Sequence, residues 1–191
     1  VPIGKDKSHP FSASLDGSAT KDGICKIQGM KIGSESSSRD YSYAGLIGYA
    51  KGENITISNV GIDKNSEIYA MSSSDAGGLV GFISADVNNE VSLENCYNTG
   101  TISSNCAGGL VGFVSGNAYT NLSLKNCYNA GTISGRYYAG GLVGLIYYGV
   151  RLENCYNTGT ISSGQGCYGV GGLVGFAESC IFENCYNTGT I

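Results

Sequence analysis

The residues of this chain with the greatest potential for chemistry are eight cysteines and a single histidine, His9. Closely spaced thiolates and imidazoles bind zinc, and a thiol beside an imidazole can act as a nucleophile. No two cysteines have the spacing Cys-x-x-Cys, and His9 is far in sequence from most of them. We therefore expect no metal site, no cofactor and no Cys–His nucleophile.

Carboxylates are the second group that could do chemistry. Glu94, Glu153 and Glu183 each precede a copy of the same phrase, Asn-Cys-Tyr-Asn, but Lys125 precedes the remaining copy. Glycoside hydrolysis needs a matched pair of carboxylates, and a lyase needs a positioned base. A column interrupted by lysine is more typical of solvated charges at strand ends. We expect a protein that is not an enzyme, with a carbohydrate-active enzyme as a less favoured alternative.

Tyrosines recur as the third residue of that phrase, and they are the candidate binding surface: Tyr97, Tyr128, Tyr156 and Tyr186. If they point outward in successive repeats, they form a ladder of rings that could stack on sugars or on a partner protein. The alternative is that the rings cover a turn and stabilise the stacking of the repeats, since aromatic residues in register favour each other. We favour this second interpretation.

Two recurring phrases reveal the elements that must position these side chains. Gly-Leu-(Val/Ile)-Gly begins at residues 45, 78, 109, 141 and 172, in steps of 33, 31, 32 and 31 residues. Asn-Cys-Tyr-Asn-(Thr/Ala)-Gly-Thr-Ile begins at residues 95, 126, 154 and 184. A period of this length indicates an array of stacked structural units. The segment between the two phrases varies in length, which predicts a surface loop.

Composition limits what such an array can be. The chain has 31 glycines among 191 residues, 41% hydrophobic residues, 14% charged residues and a net charge of −4. The apolar content argues against disorder, and the abundance of residues that are poor helix formers argues against helical repeats. An acidic balance without a basic run excludes nucleic-acid binding. No apolar run is long enough to insert in a membrane.

These observations predict an all-β parallel solenoid, or β-helix, of about six right-handed coils of about 31 residues. Within one unit we predict three short strands, at residues 79–83, 91–97 and 101–103. A propeller blade would need more residues, and a leucine-rich repeat has fewer. Residues 1–40 lack the phrases and are predicted to be a divergent N-terminal cap or first coil. Residues 41–191 are predicted to be repeats within one continuous domain, part of a longer chain.

Stacking of coils places like residues over like, which predicts three structural ladders. Cysteine shares its position with Val60 of the first unit, so that site requires a small apolar side chain and free thiols are expected. Asparagine suits a corner in the left-handed conformation. The predicted ladder residues are the leucines Leu46, Leu79, Leu110, Leu142 and Leu173, the cysteines Cys96, Cys127, Cys155 and Cys185, and the asparagines Asn95, Asn126, Asn154 and Asn184.

Three further features leave alternatives open. Any disulfide must come from the cysteines outside the ladder, Cys25, Cys106, Cys167 and Cys180. The strand at residues 79–83 is apolar on both faces, and only one face can form the core. The second face is an exposed stripe, or it is turned inward by a bulge at Gly81, Gly112 and Gly144, or it is covered locally. We favour the bulge or the cover. Thr-Gly-Thr triplets resemble those of ice-binding solenoids, which we regard as a minor alternative.

The two phrases, together with Phe11-x-x-x-Leu15-Asp16-Gly17, resemble the GLUG-motif repeat family over most of the chain, from residue 11 to residue 191. Members of that family are bacterial surface or secreted proteins, including adhesin-like proteins and non-catalytic regions of immunoglobulin-A-cleaving metallopeptidases. The resemblance implies a non-enzymatic extracellular module that acts as a stalk or interaction scaffold. It implies surface glycans or proteins, and other domains of a longer chain, as partners. A carbohydrate-binding module that uses the tyrosines is the alternative function.

Overall fold

The computed structural model describes residues 3–4, 6–33, 42–52, 54–85, 90–116 and 121–191. The regular elements among these residues are all β-strands, and the strands of successive coils pair in parallel. The chain is therefore a parallel β-solenoid, as the repeat predicted. The coil sense stays a prediction.

The strands of the described residues are 2–11 residues long, and most end at, or directly before, a glycine or an asparagine. In chain order they are β1 Leu15–Asp16, β2 Cys25–Ile27, β3 Lys31–Ile32, β4 Tyr43–Ala44, β5 Ile47–Lys51, β6 Ile55–Ser58, β7 Val60–Ile62, β8 Glu67–Gly77, β9 Val80–Ser84, β10 Glu90–Glu94, β11 Tyr97–Asn98, β12 Thr101–Gly108, β13 Val111–Ser115, β14 Asn121–Lys125, β15 Tyr128–Asn129, β16 Thr132–Gly140, β17 Val143–Glu153, β18 Tyr156–Asn157, β19 Thr160–Ser163, β20 Gly169–Gly171, β21 Val174–Glu183 and β22 Tyr186–Asn187.

Three sheets run along the solenoid. The first sheet has nine strands in the order β1-β6-β10-β14-β17-β13-β9-β5, with β21 also paired to β17. The second has six strands, β2-β7-β11-β15-β18-β22, and the third has seven, built on β19-β16-β12-β8-β3. The six passes through the second sheet bound about five complete turns, slightly fewer than the six coils predicted.

The predicted strand at residues 91–97 is divided in two. Strand β10 ends at Glu94 and β11 begins at Tyr97, because Asn95 adopts the left-handed conformation, with φ of 53°. The same corner recurs at Asn59, Asn126, Asn154 and Asn184, with φ between 51° and 57°. Asparagine tolerates this conformation better than most residues do. The predicted strand at residues 101–103 is longer than expected and continues to Gly108.

The segment between the two phrases differs between coils. In the middle coils β9 and β10, or β13 and β14, are separate strands, and the connecting residues 86–89 and 117–120 lie outside the described part of the chain. In the last two coils the corresponding stretch is one continuous strand, β17 or β21. A register shift between Ile146 and Gly149 absorbs the difference in length. The variable length thus falls in the segment between these two strands, where the last two coils have one continuous strand.

The five leucines of the Gly-Leu phrase lie in the interior. Leu79, Leu110 and Leu142 are fully buried, and Leu46 and Leu173 near the ends of the solenoid are partly buried against the same core. A second core cluster lies beneath the third sheet, where Ile32, Ile68, Ile102, Ile133 and Ile161 form one column. Ile102, Ile133 and Ile161 are the last residues of the eight-residue phrase that begins with Asn-Cys-Tyr-Asn. Their recurrence gives this isoleucine the same stacking role as the leucine.

The strand at residues 79–83 has both faces covered. Val80 and Ile83 are fully buried, and the register with the next coil is constant through Gly81, where Val80 pairs with Val111 and Phe82 with Phe113. A bulge repeated at the same position of every coil would leave this register unchanged, so the bulge at Gly81 stays a prediction; Leu79, Val80 and Ile83 all lie in one core cluster, which shows that side chains of both strand faces turn inward. A Cβ on Gly81 would lie 2.5 Å from the backbone nitrogen of Ala44 in the third sheet. Glycine is required because the two backbones touch.

The N-terminal segment enters the solenoid as a divergent coil. Strands β1, β2 and β3 pair in parallel with β6, β7 and β8 of the next coil. Cys25 pairs with Val60, which places it in the cysteine column; the prediction that Cys25 lies outside that column is wrong. The sequence around Cys25 lacks the asparagine and tyrosine of the phrase, which hid the alignment. The predicted domain boundary between residues 40 and 41 lies outside the described residues.

Candidate binding surfaces

The cysteine column is buried and makes thiol hydrogen bonds. Cys96, Cys127 and Cys155 are fully buried, and Cys25 and Cys185 near the ends are partly exposed. The Cys96 thiol donates to the carbonyl oxygens of Glu94 at 3.2 Å and Ile57 at 3.5 Å, and later members repeat the pattern. Burial raises the pKa of the Cys127 thiol well above its usual range. Such thiols are structural and unreactive.

We expect alkylation of the native chain to separate these thiols from the exposed ones. All eight cysteines are free thiols in the structure, and Cys167 and Cys180 are exposed. An alkylating reagent should modify these two in the folded chain, whereas Cys96, Cys127 and Cys155 should react only after denaturation. Intact mass and peptide mapping measure this. A ladder cysteine that remains unmodified after denaturation without reductant would show a disulfide and contradict the assignment.

The corner asparagines form an outer ladder. The side-chain amide of Asn95 donates to Asn59 Oδ1 at 3.0 Å, and Asn126 donates to Asn95 at 3.2 Å. Asn154 and Asn184 continue the series at 3.3 Å. Asp16 ends it, because its carboxylate accepts from Asn59 at 2.8 Å. Hydrogen bonds from Ser18 and Asn59 hold the pKa of the Asp16 carboxyl below its usual range.

A second, inner asparagine ladder was not predicted. Asn98, Asn129 and Asn157 are fully buried, and each side-chain amide donates to the next asparagine at 2.7–2.8 Å. Each also closes a turn onto the backbone two residues later; Gly131 N–H, for example, donates to Asn129 Oδ1 at 3.2 Å. These residues are the fourth of the phrase and recur as regularly as the first, so the same signal could have identified them.

The tyrosine ladder is a continuous stack of rings. The centroids of Tyr97, Tyr128, Tyr156 and Tyr186 follow each other at 5.0, 5.0 and 5.1 Å, and the ring planes differ by no more than 10°. Tyr97 also packs over Gly61, at a point where an added Cβ would overlap its ring. Each inner ring therefore has both faces covered. The ladder presents edges and hydroxyls, which favours the stabilising interpretation over sugar stacking.

Truncation of an inner ring should reduce stability measurably. We expect Tyr128→Ala to lower the free energy of unfolding by about 2–3 kcal/mol, because it removes a half-buried ring that stacks on two neighbours. Tyr186→Ala is the matched control, since Tyr186 stacks on one neighbour and is 52% exposed. Urea denaturation measures both variants, and equal losses would contradict the stacking role.

The aligned carboxylates do not assemble into an acid–base pair. Glu94, Lys125, Glu153 and Glu183 occupy one column in successive coils, as their spacing predicted. Lys125 lies 3.4 Å from Glu153, and Arg151 binds Glu183 through two contacts of 2.9 Å. These are exposed ion pairs, of the kind that contribute little to stability. His9 is also exposed and contacts Asp6 at 3.1 Å.

Two kinds of feature, a metal-binding cluster and a membrane-spanning helix, are absent from the residues that the structure describes. No group of three histidine, cysteine or acidic residues there is arranged to hold a metal ion. No helix there has the length and apolar character of a membrane span.

A surface that sequence reasoning did not identify is a strip of aromatic rings along the junction of the first and third sheets. Tyr49, Phe82 and Phe113 form one row, because they pair in register in successive coils. Neighbouring ring centroids lie 4.7–5.9 Å apart in two groups: one holds Tyr43, Tyr49, Phe82, Phe113 and Tyr147, and the other holds Tyr137, Tyr138, Tyr168 and Phe176. We call this set the aromatic strip: Tyr43, Tyr49, Phe82, Phe113, Tyr137, Tyr138, Tyr147, Tyr168 and Phe176.

A carboxyl and a thiol lie beneath the N-terminal part of the aromatic strip. Asp75 pairs in register with Tyr43 on one side and with Cys106 on the other, and its side chain is hydrogen-bonded to the Cys106 thiol. Burial raises the pKa of the Asp75 carboxyl from 3.8 to about 6. Burial, with the nearby Asp75, raises the pKa of Cys106 above its usual range. A cysteine outside the ladder is thus engaged by a buried acid.

Asp75 should make stability depend on pH. A carboxyl whose pKa is about 6 in the folded chain and 3.8 when unfolded binds more protons in the folded state, so stability falls as pH rises between these values and stays lower above them. We expect Asp75→Asn to gain about 2 kcal/mol at pH 7.5 and nothing at pH 3.5. Thermal melts at both pH values test this; a loss of stability at pH 7.5 would contradict it.

A shallow hollow lies on the outer face of the first sheet. It has a volume of about 440 Å³ and is lined by Glu90, Ser123, Gly149, Arg151 and Ser179, among others. Glycine and serine make the floor concave, and the Arg151 guanidinium at its wall is already bound to Glu183. The residues that line the hollow include no aromatic ring to stack on a ligand.

Comparison with known proteins relates the fold to a family. The family model of the GLUG motif matches residues 135–162 and 166–191. No functionally curated protein matches the chain. The crystal structure of a proposed immunoglobulin A1 protease from Bacteroides ovatus has the same fold, with a TM-score of 0.57 at 16% identity over 98% of this chain. The present chain spans 63% of that structure. At residues 135–162 and 166–191 the chain thus matches the GLUG motif, as the resemblance of its phrases predicted.

Proposed function

We propose that the chain is a non-enzymatic extracellular repeat module of a bacterial surface or secreted protein, where it acts as a stalk or interaction scaffold. The observation that supports this most is the use of the repeated side chains. The leucines, cysteines, tyrosines and both asparagine ladders each contact the equivalent residue, or its backbone, in the neighbouring coil. Repetition in this chain therefore serves stacking.

The comparisons support the extracellular part of the proposal in a general way. The GLUG motif and a solved relative named as an immunoglobulin A1 protease are both consistent with a module that operates outside the cell. Buried thiols are compatible with an oxidising environment, because Cys96, Cys127 and Cys155 are shielded from reagents. Surface glycans or proteins are the proposed partners.

The location is tested with an antibody raised against this chain. The antibody should label intact cells of the source bacterium or detect the protein in the culture medium, and protease added to intact cells should remove the cell-bound signal. Detection only after lysis would overturn the extracellular proposal.

The absence of catalysis is tested with the purified chain. Incubation with immunoglobulin A1, with casein and with soluble polysaccharides should leave their masses unchanged. Glu153→Gln and Glu183→Gln are informative controls, because these residues are the aligned carboxylates. Cleavage that either substitution abolishes would overturn the proposal and favour the enzyme alternative.

A further inference from the structure

The third-sheet side of the aromatic strip differs from the ladders because one position there changes its residue type from coil to coil. That position, at the end of the third sheet, is Tyr43, Asp75, Cys106, Tyr138 and Gly169 in successive coils. Positions that serve stacking keep their residue type, as the ladders show. Variation along an otherwise regular scaffold therefore marks residues that stacking does not require.

Bulges of unequal size precede this position in the third sheet. Between Ser104 and Cys106 the register shifts by three residues against β8 and by one residue against β16. The equivalent insertions in the last two coils contain Arg136, Tyr137 and Tyr168. Bulges interrupt a ladder and re-aim a side chain, and they are frequent beside functional sites.

The C-terminal end of the strip is where rings are open to solvent. Tyr147, on β17, is 44% exposed, and Tyr168, at 72%, and Phe176, at 38%, lie in the last coil, whose strands pair only with the preceding coil. Tyr168 lies 5.7 Å from Tyr137 and 5.8 Å from Tyr138, with ring planes inclined at 30° and 40°. These rings are inclined to one another, whereas the rings of the tyrosine ladder are nearly parallel and cover each other's faces. We call Tyr137, Tyr138, Tyr147, Tyr168 and Phe176 the open end.

Polar groups accompany these rings. The Arg136 guanidinium lies 5.2 Å from the centre of the Tyr137 ring and is exposed. Burial and the neighbouring phenol of Tyr147 raise the pKa of Tyr138, so its hydroxyl stays protonated and can both donate and accept hydrogen bonds. The surface therefore combines apolar ring faces with neutral hydroxyls and guanidinium donors.

We propose that the open end binds a neutral glycan, whose C–H faces pack on the rings and whose hydroxyls bond to the phenols and to Arg136. This chemistry requires exposed rings with polar tips. A peptide that adds as a strand needs a free sheet edge; β16 and β17, which carry Tyr137, Tyr138 and Tyr147, are paired on both sides, whereas β21, which carries Phe176, is paired on one side only. The inference rests on the proposed role of the chain as an interaction scaffold, and it names the ligand class.

The test uses the purified chain on an array of neutral oligosaccharides, followed by affinity electrophoresis through gels that contain the best soluble polysaccharide. Binding by the wild-type chain is expected, with a loss of at least tenfold in affinity for Tyr147→Ala and for Tyr168→Ala. Tyr186→Ala is the matched control, because it removes a similarly exposed ring from the tyrosine ladder. It should bind as the wild type does.

Several outcomes would overturn the inference. The first is that the wild-type chain binds no neutral glycan. The second is that Tyr186→Ala weakens glycan affinity as much as Tyr147→Ala and Tyr168→Ala do. The third is that the chain prefers a proline-rich peptide, the other polymer that aromatic grooves bind. Circular dichroism melts of each variant keep the test valid, since exposed rings should be removable with little change in melting temperature. The cell-surface and cleavage experiments have separate readouts, so the module could be extracellular and inactive even if the open end binds no glycan.

Discussion

Asn129→Ala is expected to lower the free energy of unfolding by about 4 kcal/mol or more, which is a large part of the total stability of a domain. Asn129 is fully buried and its amide takes part in four hydrogen bonds. Alanine leaves the Gly131 backbone without its partners and removes one partner each from Asn98 and Asn157. Each stranded buried group costs about 1–3 kcal/mol. The melting temperature should fall by about 10 °C.

Asn126→Gly is the matched control for this substitution. Asn126 lies in the same coil and in the outer ladder, but its side chain is exposed and glycine accepts its φ of 53°. We expect a loss of about 1 kcal/mol or less. Chemical denaturation of both variants measures the difference, and an Asn126→Gly loss as large as that of Asn129→Ala would contradict the assignment of the inner ladder as the stronger one.

The second large effect is expected at Gly109. A Cβ there would overlap the carbonyl oxygen of Gly141 in the next coil and would lie 2.9 Å from Asn129 Oδ1. The Gly141 oxygen is a backbone atom of the next coil and Asn129 Oδ1 accepts two hydrogen bonds, so neither can move without displacing the neighbouring coil. Gly109→Ala should therefore cost about 3 kcal/mol or more, and the loss should appear in the melting temperature and in the urea midpoint.

Gly164→Ala shows whether the loss arises from contact rather than from glycine itself. Its nearest atom to an added Cβ is the Arg136 carbonyl oxygen at 3.5 Å, an ordinary contact. We expect a change within about 0.5 kcal/mol. A neutral Gly109→Ala would mean that the coils are not stacked as closely as the structure places them.

The repeat phrases predicted the fold class because each phrase maps onto one physical requirement of a stacked coil. The Gly-Leu phrase places a backbone contact and a core leucine side by side, and Asn-Cys-Tyr-Asn places a left-handed corner, a buried thiol and a stacked ring. Constant spacing alone implies that Leu79 lies over Leu110 and Cys96 over Cys127. Parallel stacking is the arrangement that satisfies all of these columns together.

The remaining features depend on contacts that the sequence does not encode by position. Cys25 joins the cysteine column without any neighbouring phrase, so only strand pairing reveals it. The aromatic strip joins residues from two sheets, and rings such as Tyr43 of the third sheet and Phe82 of the first meet across their junction. The contact over Gly81 likewise comes from Ala44, which lies more than thirty residues earlier, and it recurs between Ala76 and Gly112. Strand pairing, and no phrase by itself, shows that such distant residues meet.

The central claim is that repeated residues hold the coils together whereas the variable aromatic residues form the surface that meets a ligand. Glycan affinity measured at a temperature where all variants are folded tests it most directly. Tyr128→Ala should retain wild-type affinity despite its lower stability, and Tyr168→Ala should lose at least tenfold in affinity at nearly wild-type stability. Loss of affinity in Tyr128→Ala with full retention in Tyr168→Ala would contradict the claim.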